Sequence, residues 1–458
     1  MKRQRDTSGT VRVPTLLGAQ GIFNVGFYAV VPFIAIVLAE DFALGGAAIG
    51  LVLGTRTAAQ QGMFLLGGVL ADRFGARSLI LTGCAVRALG FGTLAVSVSW
   101  HHSLPLFVVG TVLTGLGGAL FSPALSTLVA LAQSQRETLS QSETQPGVRA
   151  PHRAPRTTLF AALSVVGETG AAIGPLLGAA LLGWGFAVTA ASGAGLFIIV
   201  GFVLTRLLPR TSSTQSEAHG PQLSDDASQE SPRTRRSRRC ASLHHRGFVC
   251  FALLHAVDLL SYNQLYLSLP TEIRRSGAGA ETLAALFALV SILTITAQLP
   301  IARLARRLGP HRALPLGYIT TSAGFLVLAA STTTTMPEGL EIAPAVAAVV
   351  LWILGHLMVG PVALDLVPRF AGNTKWGSYY GLLATAGGVA VLVGNAAVGS
   401  LLPLTESSSS LAWAPWILLG ALPLISAALI GRTLPPHPQT TPAIPSQELS
   451  VSTHQEST

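Results

Sequence analysis

Four ionisable side chains stand deep inside long apolar stretches of the sequence: Arg56, Arg87, Glu168 and Asp258. Each follows about ten to twelve residues of its stretch, which is near the middle of a bilayer at a helical rise of about 1.5 Å per residue. A charge at that depth costs roughly 2.5 to 3.5 kcal/mol on insertion scales, so these residues should face a cavity or a partner. They are functional candidates, whereas we interpret Asp365, near the end of its stretch, as interfacial.

Proton transfer is the chemistry that buried acids favour. A side chain that carries protons across a membrane must bind a proton on one side and release it on the other, and a carboxyl group in a low-dielectric cavity can do so when no cation is adjacent. Glu168 and Asp258 are the candidates, together with His255, because histidine titrates near neutral pH. If Arg56 or Arg87 pairs permanently with one of the acids, that acid is structural instead.

A polar face on the seventh apolar stretch holds His255, Asp258, Tyr262 and Tyr266 at spacings of three, four and four residues. These spacings place all four side chains on one side of a helix. We expect this face to line a central cavity, and the alternative is a structural stripe that satisfies neighbouring helices.

Two further stretches carry polar residues at the same helical spacing, Arg56 with Gln60 in the second stretch and Gln20 with Asn24 in the first. We expect them to line the same cavity, where a small molecule binds. The residues assigned to the cavity are Gln20, Asn24, Arg56, Gln60, Arg87, Tyr262 and Tyr266.

The elements that would hold these residues are membrane helices. Half of the 458 residues are hydrophobic and only 11% are charged, which a water-soluble domain of this length does not tolerate on its surface. Twelve apolar stretches of roughly 20 residues are each long enough to cross a hydrocarbon core of about 30 Å. They are 12–39, 46–70, 78–99, 104–131, 157–182, 186–207, 247–271, 280–302, 313–331, 344–367, 377–402 and 411–431. We predict an all-α membrane protein with twelve transmembrane helices.

Basic residues give these helices an orientation. With the N-terminus inside, 25 of the 29 Lys and Arg residues fall in cytoplasmic segments, and only Arg274 and Arg275 fall outside. The positive-inside rule therefore predicts a multi-pass protein of the cytoplasmic (inner) membrane with both termini in the cytoplasm. The arginine run at 233–239 lies in a Ser-rich tether, so we expect membrane lipid rather than nucleic acid as its partner.

A polar linker at 208–246 divides the chain into two blocks of six helices. The N-terminal bundle spans 1–207, the C-terminal bundle spans 247–432, and we expect a disordered tail at 433–458. The two blocks share a short sequence after their second helix, since 67–77 aligns with 301–311 at an offset of 234 residues. The matched pairs are Leu70/Leu304, Ala71/Ala305, Arg73/Arg307 and Gly75/Gly309. This repeat indicates duplication and predicts two pseudo-symmetric halves.

The run GGVLADRFGAR at 67–77 resembles the signature loop of the major facilitator superfamily. In helix 5, Gly170, Gly174, Pro175 and Gly178 resemble the G-x-x-x-G-P-x-x-G element of the drug/proton antiporters in that superfamily. The stretches LVLGTRTAAQQGMFLLGG and GSYYGLLATAGG look most like the MdtH type of twelve-helix multidrug exporter. The resemblance covers nearly the whole chain, and it implies the major facilitator fold with two six-helix halves, a small-molecule substrate and protons as the driving ion.

The resemblance also gives the segment after helix 2 a role in conformational change. Its two glycines would let helix 11 approach closely, and its aspartate should face the start of helix 11 near Gly377 and Ser378, where free N–H groups stabilise a carboxylate. Its arginines would pair with that aspartate or with lipid phosphates; the alternative is that they are only topology anchors. The assigned residues are Gly67, Gly68, Asp72, Arg73, Gly75 and Arg77.

The glycines of helix 5 form one stripe at 170, 174 and 178, and helix 8 offers a matching stripe of small residues at Ala284, Ala288 and Ser291. A close contact between helices 5 and 8 is therefore expected. Pro175 removes one backbone hydrogen bond and should bend helix 5. Tight packing without any influence on the direction of transport is the alternative.

Three features depart from the family pattern. Helix 4 has Thr111 where many antiporters of the superfamily carry an arginine, and helix 1 has no acid at depth. His356 in helix 10 stands where relatives often carry a glutamate, so it joins Glu168, Asp258 and His255 as a candidate for proton coupling.

Other sources of energy and other functions find little support in the sequence. A phosphate-binding loop needs a Gly-Lys-Ser/Thr sequence, and the two lysines, Lys2 and Lys375, are not in that setting. No protease or hydrolase motif occurs, so we predict no enzyme activity, no metal and no cofactor. A proton-coupled exporter of drugs or metabolites, acting as a monomer, is the leading hypothesis. A symporter that imports a nutrient and a transport-inactive receptor are the alternatives.

Overall fold

The computed structural model describes residues 13–100, 102–142, 159–208, 246–334, 336–371, 376–406 and 411–434, and every regular element in these ranges is helical. Within a bilayer the backbone must satisfy its own hydrogen bonds, so long apolar stretches become helices. The predicted linker lies outside the described residues over 209–245, as does the predicted tail over 435–458.

Twelve long helices follow one another along the described chain. The first, α1, spans Val13–Glu40 and contains a 3-10 turn at Val31–Phe33. The others are α2 (Gly46–Phe74), α3 (Ala76–Ser99), α4 (Leu104–Ser142), α5 (Leu159–Leu182), α6 (Phe186–Leu207), α7 (Arg246–Arg275), α8 (Ala280–Leu308), α9 (Pro310–Ser331), α10 (Ala343–Ala371), α11 (Trp376–Leu401) and α12 (Ala414–Leu429). Eleven spans in the described ranges are long and apolar enough to cross a membrane, and α2 is the remaining long helix. The predicted all-α membrane architecture is confirmed.

The helices pack as two groups joined by two main contacts. In the first group α1 packs on α5 and α6, α3 packs on α4 and α6, and α2 packs on α4. In the second group α7 packs on α10 and α11, and α9 packs on α10 and α12. The two groups meet where α2 packs along α11 and where α5 packs along α8. The predicted contact between helices 5 and 8 is therefore present.

The two groups pack together more tightly at one end than at the other. We call the face where α1 begins and α12 ends the terminal face, and the opposite one the far face. On the far side every residue of α7 from 263 to 273 is buried, so this part of the helix is surrounded. On the terminal side no residue of α8 from 292 to 304 is buried. A cleft between the groups therefore opens toward the terminal face and is sealed toward the far face.

Backbone contact between α2 and α11 makes part of the far seal. A Cβ atom added at Gly46 would overlap the carbonyl oxygen of Gly399, and one added at Gly50 would overlap that of Asn395. One turn farther in, a Cβ at Gly54 would lie 2.8 Å from the Cα of Leu392. Helices in lipid approach this closely only where side chains are absent.

The duplicated sequence after the second helix of each group adopts the same backbone turn. Gly75 between α2 and α3 has φ 80° and ψ 141°, and Gly309 between α8 and α9 has φ 70° and ψ 165°. Residues with a Cβ avoid this region of backbone conformation. The equivalence at the offset of 234 residues supports the internal repeat.

Alanine at Gly75 or Gly309 should therefore destabilise the protein by about 1 to 3 kcal/mol through backbone strain. The midpoint of thermal unfolding in detergent, compared with that of the wild type, measures the effect. Gly18→Ala is the matched control, because Gly18 lies within helix α1 and an added Cβ meets nothing within 4 Å. An unchanged midpoint for both loop variants would contradict the argument.

Candidate functional site

A hydrogen-bonded acid and histidine lie within the second group of helices. Asp258 on α7 and His356 on α10 lie 2.9 Å apart, measured from the carboxylate Oδ2 to the imidazole Nδ1. The Asp258 side chain is only 7% exposed, whereas the His356 side chain is 34% exposed. The histidine is therefore the member of the pair that the cleft can reach. Neither Arg56 nor Arg87 forms an ion pair with Asp258 or Glu168, so the condition under which one of these acids would be purely structural is not met here.

Glu168 reaches the same region from the other group of helices. It lies on α5, is half-buried, and is within electrostatic range of His356. In the part of the chain that the structure describes, its carboxylate has no ion-pair partner within 4.0 Å. Of the four residues predicted for proton coupling, Asp258 and His356 are in contact, and Glu168 and His255 lie within electrostatic range of His356. They belong to both sides of the cleft.

His255 has a hydrogen-bond partner of its own, although it lies within electrostatic range of Asp258 and His356. Its Nδ1 atom is 3.0 Å from the hydroxyl of Tyr318 on α9, and its ring stacks on Phe251 at a centroid distance of 5.9 Å. Both partners belong to the second group of helices, so His255 serves as a contact inside that group.

Aromatic rings close the cleft on its far side. The ring of Tyr262 is 4.7 Å from that of His356, and the ring of Tyr266 is 5.3 Å from that of Phe287 on α8. Tyr28 on α1 comes from the first group and interacts with both of these tyrosines. Tyr28 was not predicted from the sequence, although it continues the spacing of four residues set by Gln20 and Asn24. These rings separate the cleft from the fully buried far half.

Two arginines are buried beyond this aromatic layer, inside the first group. Arg56 is 5% exposed and Arg87 is 2% exposed. The Arg56 guanidinium lies 5.2 Å from the ring centre of Phe27 and 5.9 Å from that of Tyr266. Arg87 lies 4.1 Å from the ring centre of Phe23, and its Nε donates to the carbonyl of Thr114 at 3.2 Å. Neither arginine faces the open part of the cleft in this conformation.

The polar residues of α1 bind α5. The side-chain amide of Asn24 donates to the carbonyl of Gly167 at 2.8 Å, and Gln20 donates to Asn24 at 3.2 Å. Both are half-buried and stand beside Glu168, so they line the cleft and also join two helices. Gln60 on α2 is half-buried as well.

The glycine stripe of α5 packs on a different helix from the one predicted. Cβ atoms added at Gly170 and Gly178 would overlap the carbonyl oxygens of Gly21 and Ala29 on α1, and one added at Gly174 would lie 2.7 Å from Tyr28. The stripe therefore faces α1 and not the small residues of α8. Pro175 lies within α5, as predicted. The error arose because a helix with several neighbours can turn its glycines toward any of them.

The segment assigned to conformational change is largely helical. Helix α2 continues to Phe74 because 67–74 contains no helix breaker apart from its two glycines, so Asp72 and Arg73 lie on a helix and not in a loop. The structure does not describe the surroundings of several residues assigned to this segment or to its predicted neighbour, namely Gly67, Gly68, Asp72, Arg73, Gly377 and Ser378.

Arg77 contacts the end of α6. Its Nη2 donates to the carbonyl of Thr205 at 2.7 Å, at the last turn of α6. A guanidinium at a helix C-terminus satisfies a free carbonyl and interacts favourably with the helix dipole. Arg77 thus ties the turn at Gly75 to the end of α6.

Two further expectations concern single positions. Thr111 is fully buried, and its hydroxyl donates to the carbonyl of Phe107 one turn earlier at 2.9 Å. It is a packing residue of α4. Asp365 is exposed on the last turns of α10, which agrees with its interpretation as interfacial.

Hydrogen bonds across the cleft were not predicted from the sequence. Thr57 on α2 donates to Asn263 on α7 at 3.1 Å, and Ser164 on α5 lies 3.5 Å from Gln298 on α8. Single hydroxyl and amide groups in apolar helices carry no signal about the helix they will meet. The polar character of Thr57 next to Arg56 was the only indication available.

The sequence comparisons agree with this architecture. The family model described as Major Facilitator Superfamily matches residues 16–395 and 251–453. An uncharacterised transporter of this type from Mycobacterium tuberculosis strain H37Rv is 31% identical over 408 residues, which are 87% of this chain and 88% of the relative. The multidrug resistance protein MdtH of Escherichia coli strain K12 / DH10B is 27% identical over 412 residues, 89% of this chain and 90% of MdtH.

Solved structures of transporters share the fold. The nucleoside transporter NupG superposes with a TM-score of 0.69 at 14% identity, covering 92% of this chain and 98% of NupG. The POT family transporter PepTSo gives a TM-score of 0.67 at 16% identity, with 92% and 97% covered. The relatives and the structural neighbours are transporters rather than enzymes. The chain belongs to the major facilitator superfamily and is a multi-pass membrane protein that acts as a secondary transporter.

Proposed function

We propose that the protein exports small amphipathic compounds in exchange for protons, by alternating access, in the cytoplasmic membrane. The observation that carries this proposal is the cluster of Asp258, His356 and Glu168, in which protonatable side chains from the two groups of helices lie within electrostatic range of one another. The excess of basic residues in the segments expected inside supports a cytoplasmic location for the terminal face. The cleft then takes its substrate from the cell interior.

The geometry suggests how proton binding would be linked to the movement of the two groups. Asp258 holds His356 within the second group, while the unpaired carboxylate of Glu168 stands opposite in the first group. Protonation changes the attraction between His356 and these two acids, and so changes the free energy of bringing the groups together on the terminal side. Closure there, with separation of α2 from α11 at the far end, would expose the site to the other side.

Export is favoured over import by the relatives. MdtH is named a multidrug resistance protein and matches along 89% of this chain. The solved symporter structures, such as a D-xylose-proton symporter at 16% identity, share the fold alone. Nutrient import and a transport-inactive receptor are the other two functions that the experiment must separate.

Inverted membrane vesicles test the proposal directly. A proton gradient is formed with the interior acidic and followed with a fluorescent ΔpH probe, while cationic and anionic amphipathic compounds are added one at a time. We expect transported compounds to accumulate and to dissipate the gradient with wild-type protein. Glu168→Gln should reduce the gradient-driven transport rate at least tenfold, because the neutral amide cannot exchange a proton.

Asp365→Asn is the matched control, since it removes an exposed acid at the end of α10 and should leave the rate unchanged. Accumulation that requires sodium and ignores ΔpH would contradict proton coupling. Uphill uptake in vesicles of the opposite orientation would assign import, and no movement of any compound would favour a receptor.

A further inference from the structure

Two buried guanidinium groups lack the hydrogen-bond acceptors that their N–H groups require. The Nε and Nη1 atoms of Arg56 and the Nη1 atom of Arg87 are buried without a hydrogen-bond partner. The hydrogen bonds that these side chains do make are weak or few. Arg56 Nη2 donates to the hydroxyl of Thr57 over a long distance of 3.5 Å, and Arg87 Nε donates to the carbonyl of Thr114. Buried polar groups are normally satisfied, so three open donors in one region require an explanation.

The two positive charges also lack a counter-ion. Among the described residues no carboxylate lies within 4.0 Å of either guanidinium. Asp258 is held by His356, and the electrostatic neighbours of Arg56 are two tyrosines, Tyr28 and Tyr266, not acids. Both guanidinium groups lie within 5.2 Å of the centre of the Phe27 ring, so the two charges are within about 10 Å of each other. Because both are buried, their repulsion is screened little.

Aromatic rings stabilise the two buried positive charges only in part. Phe23 and Phe27 face Arg87, and Phe27 and Tyr266 face Arg56. A ring face attracts a cation, but it does not satisfy N–H groups that point along the guanidinium plane. The chemistry missing from this region is an anion whose oxygens accept those hydrogen bonds.

We propose that Arg56 and Arg87 form the binding site for an anionic group, a carboxylate, phosphate or sulfonate, on an amphipathic substrate whose apolar body packs against the adjoining rings. This inference rests on the proposed function in one respect, namely that the compound which the transporter exports is the one that binds to the two arginines. Arg56 is placed to sense the movement of the halves, because its guanidinium faces Phe27 in one group and Tyr266 in the other. The open donors become accessible when Tyr266 moves away.

Binding to the purified full-length protein in lipid nanodiscs tests the proposal without any gradient. The probes are 1-naphthoate, its methyl ester and 1-naphthylmethylamine, which share an aromatic body and differ in charge. We expect 1-naphthoate to bind at least tenfold more tightly than the ester and the amine. Arg56→Gln and Arg87→Gln should each reduce that preference to less than threefold.

Arg206→Gln is the matched control, because Arg206 lies exposed at the end of α6, where its guanidinium faces the ring of Phe202. Thermal unfolding separates binding from folding. If the arginines serve a ligand, replacing either by methionine should leave the unfolding midpoint unchanged or raise it, because an unpaired buried charge is removed. If they are structural, both midpoints should fall.

Equal binding of the acid, the ester and the amine, or an acid preference that survives both glutamine variants, would overturn the anion site. Neither result depends on proton coupling or on the direction of transport. Conversely, a preference for the acid that requires both arginines would stand even if the vesicle experiment failed to show proton-driven export.

Discussion

Gly50→Ala should remove transport almost completely, by at least tenfold, and should open the far side of the protein. A Cβ at this position would overlap the backbone carbonyl of Asn395, and neither backbone can move without separating α2 from α11. The two halves then cannot seal at the far face, so alternating access fails. Labelling of a cysteine placed at Ser268, which is fully buried on the far half of α7, reports the opening. With Cys84, Cys240 and Cys250 replaced, we expect a membrane-impermeant maleimide to react there at least tenfold faster in the Gly50→Ala background.

Gly62→Ala is the matched control on the same helix. A Cβ added at Gly62 meets nothing within 4 Å, so this variant should transport and label like the wild type. Gly46→Ala should behave like Gly50→Ala, because its Cβ would overlap the carbonyl of Gly399. If Gly50→Ala transports normally and its far side stays protected, the far seal does not depend on this backbone contact.

The positions of the helices could be predicted from the sequence because the membrane imposes their length. The start of α6 at Phe186 and its end at Leu207 coincide with the apolar stretch. The errors lie where a helix leaves the bilayer. Helix α8 was expected to end at 302 but continues to Leu308, because apolarity marks the crossing, whereas Gly309 ends the helix.

Depth could also be predicted, but the partner of a side chain could not. Glu168 and Asp258 were found because each is a charge far inside an apolar stretch. Nothing in that pattern says that Asp258 binds His356 on α10, or that His255, three residues earlier on the same face, binds Tyr318 on α9. A helical spacing fixes which side chains share a face, while the neighbours of that face depend on how twelve helices pack together.

Small residues were misassigned for the same reason. The stripe at Gly170, Gly174 and Gly178 was matched with α8 but packs on α1. The stripe that does form a backbone contact between the halves, at Gly46, Gly50 and Gly54, has the same spacing of four residues and was overlooked. Glycine spacing indicates that a close approach exists, but it carries no information about which helix approaches.

Proton coupling should fail in Asp258→Asn and in His356→Gln, and the double variant should be no worse than either. Each single change removes one member of a pair whose atoms lie 2.9 Å apart, so the remaining member loses its hydrogen-bond partner. We expect the gradient-driven rate in inverted vesicles to fall at least tenfold in all three variants. Independent contributions would instead multiply in the double variant, giving a loss of at least a hundredfold.

Exchange of labelled for unlabelled substrate, measured without a gradient, distinguishes coupling from folding. Exchange requires the cleft to open on both sides but requires no net proton movement, so all three variants should retain it within about threefold if the pair acts in coupling. If the pair only holds α7 to α10, exchange and the thermal unfolding midpoint should fall together with the driven rate. Asp365→Asn, which removes an acid outside the cluster on the same helix as His356, should leave both rates as in the wild type. A driven rate that survives in Asp258→Asn would leave Glu168, alone on the opposite wall, as the carboxyl group that must carry the proton.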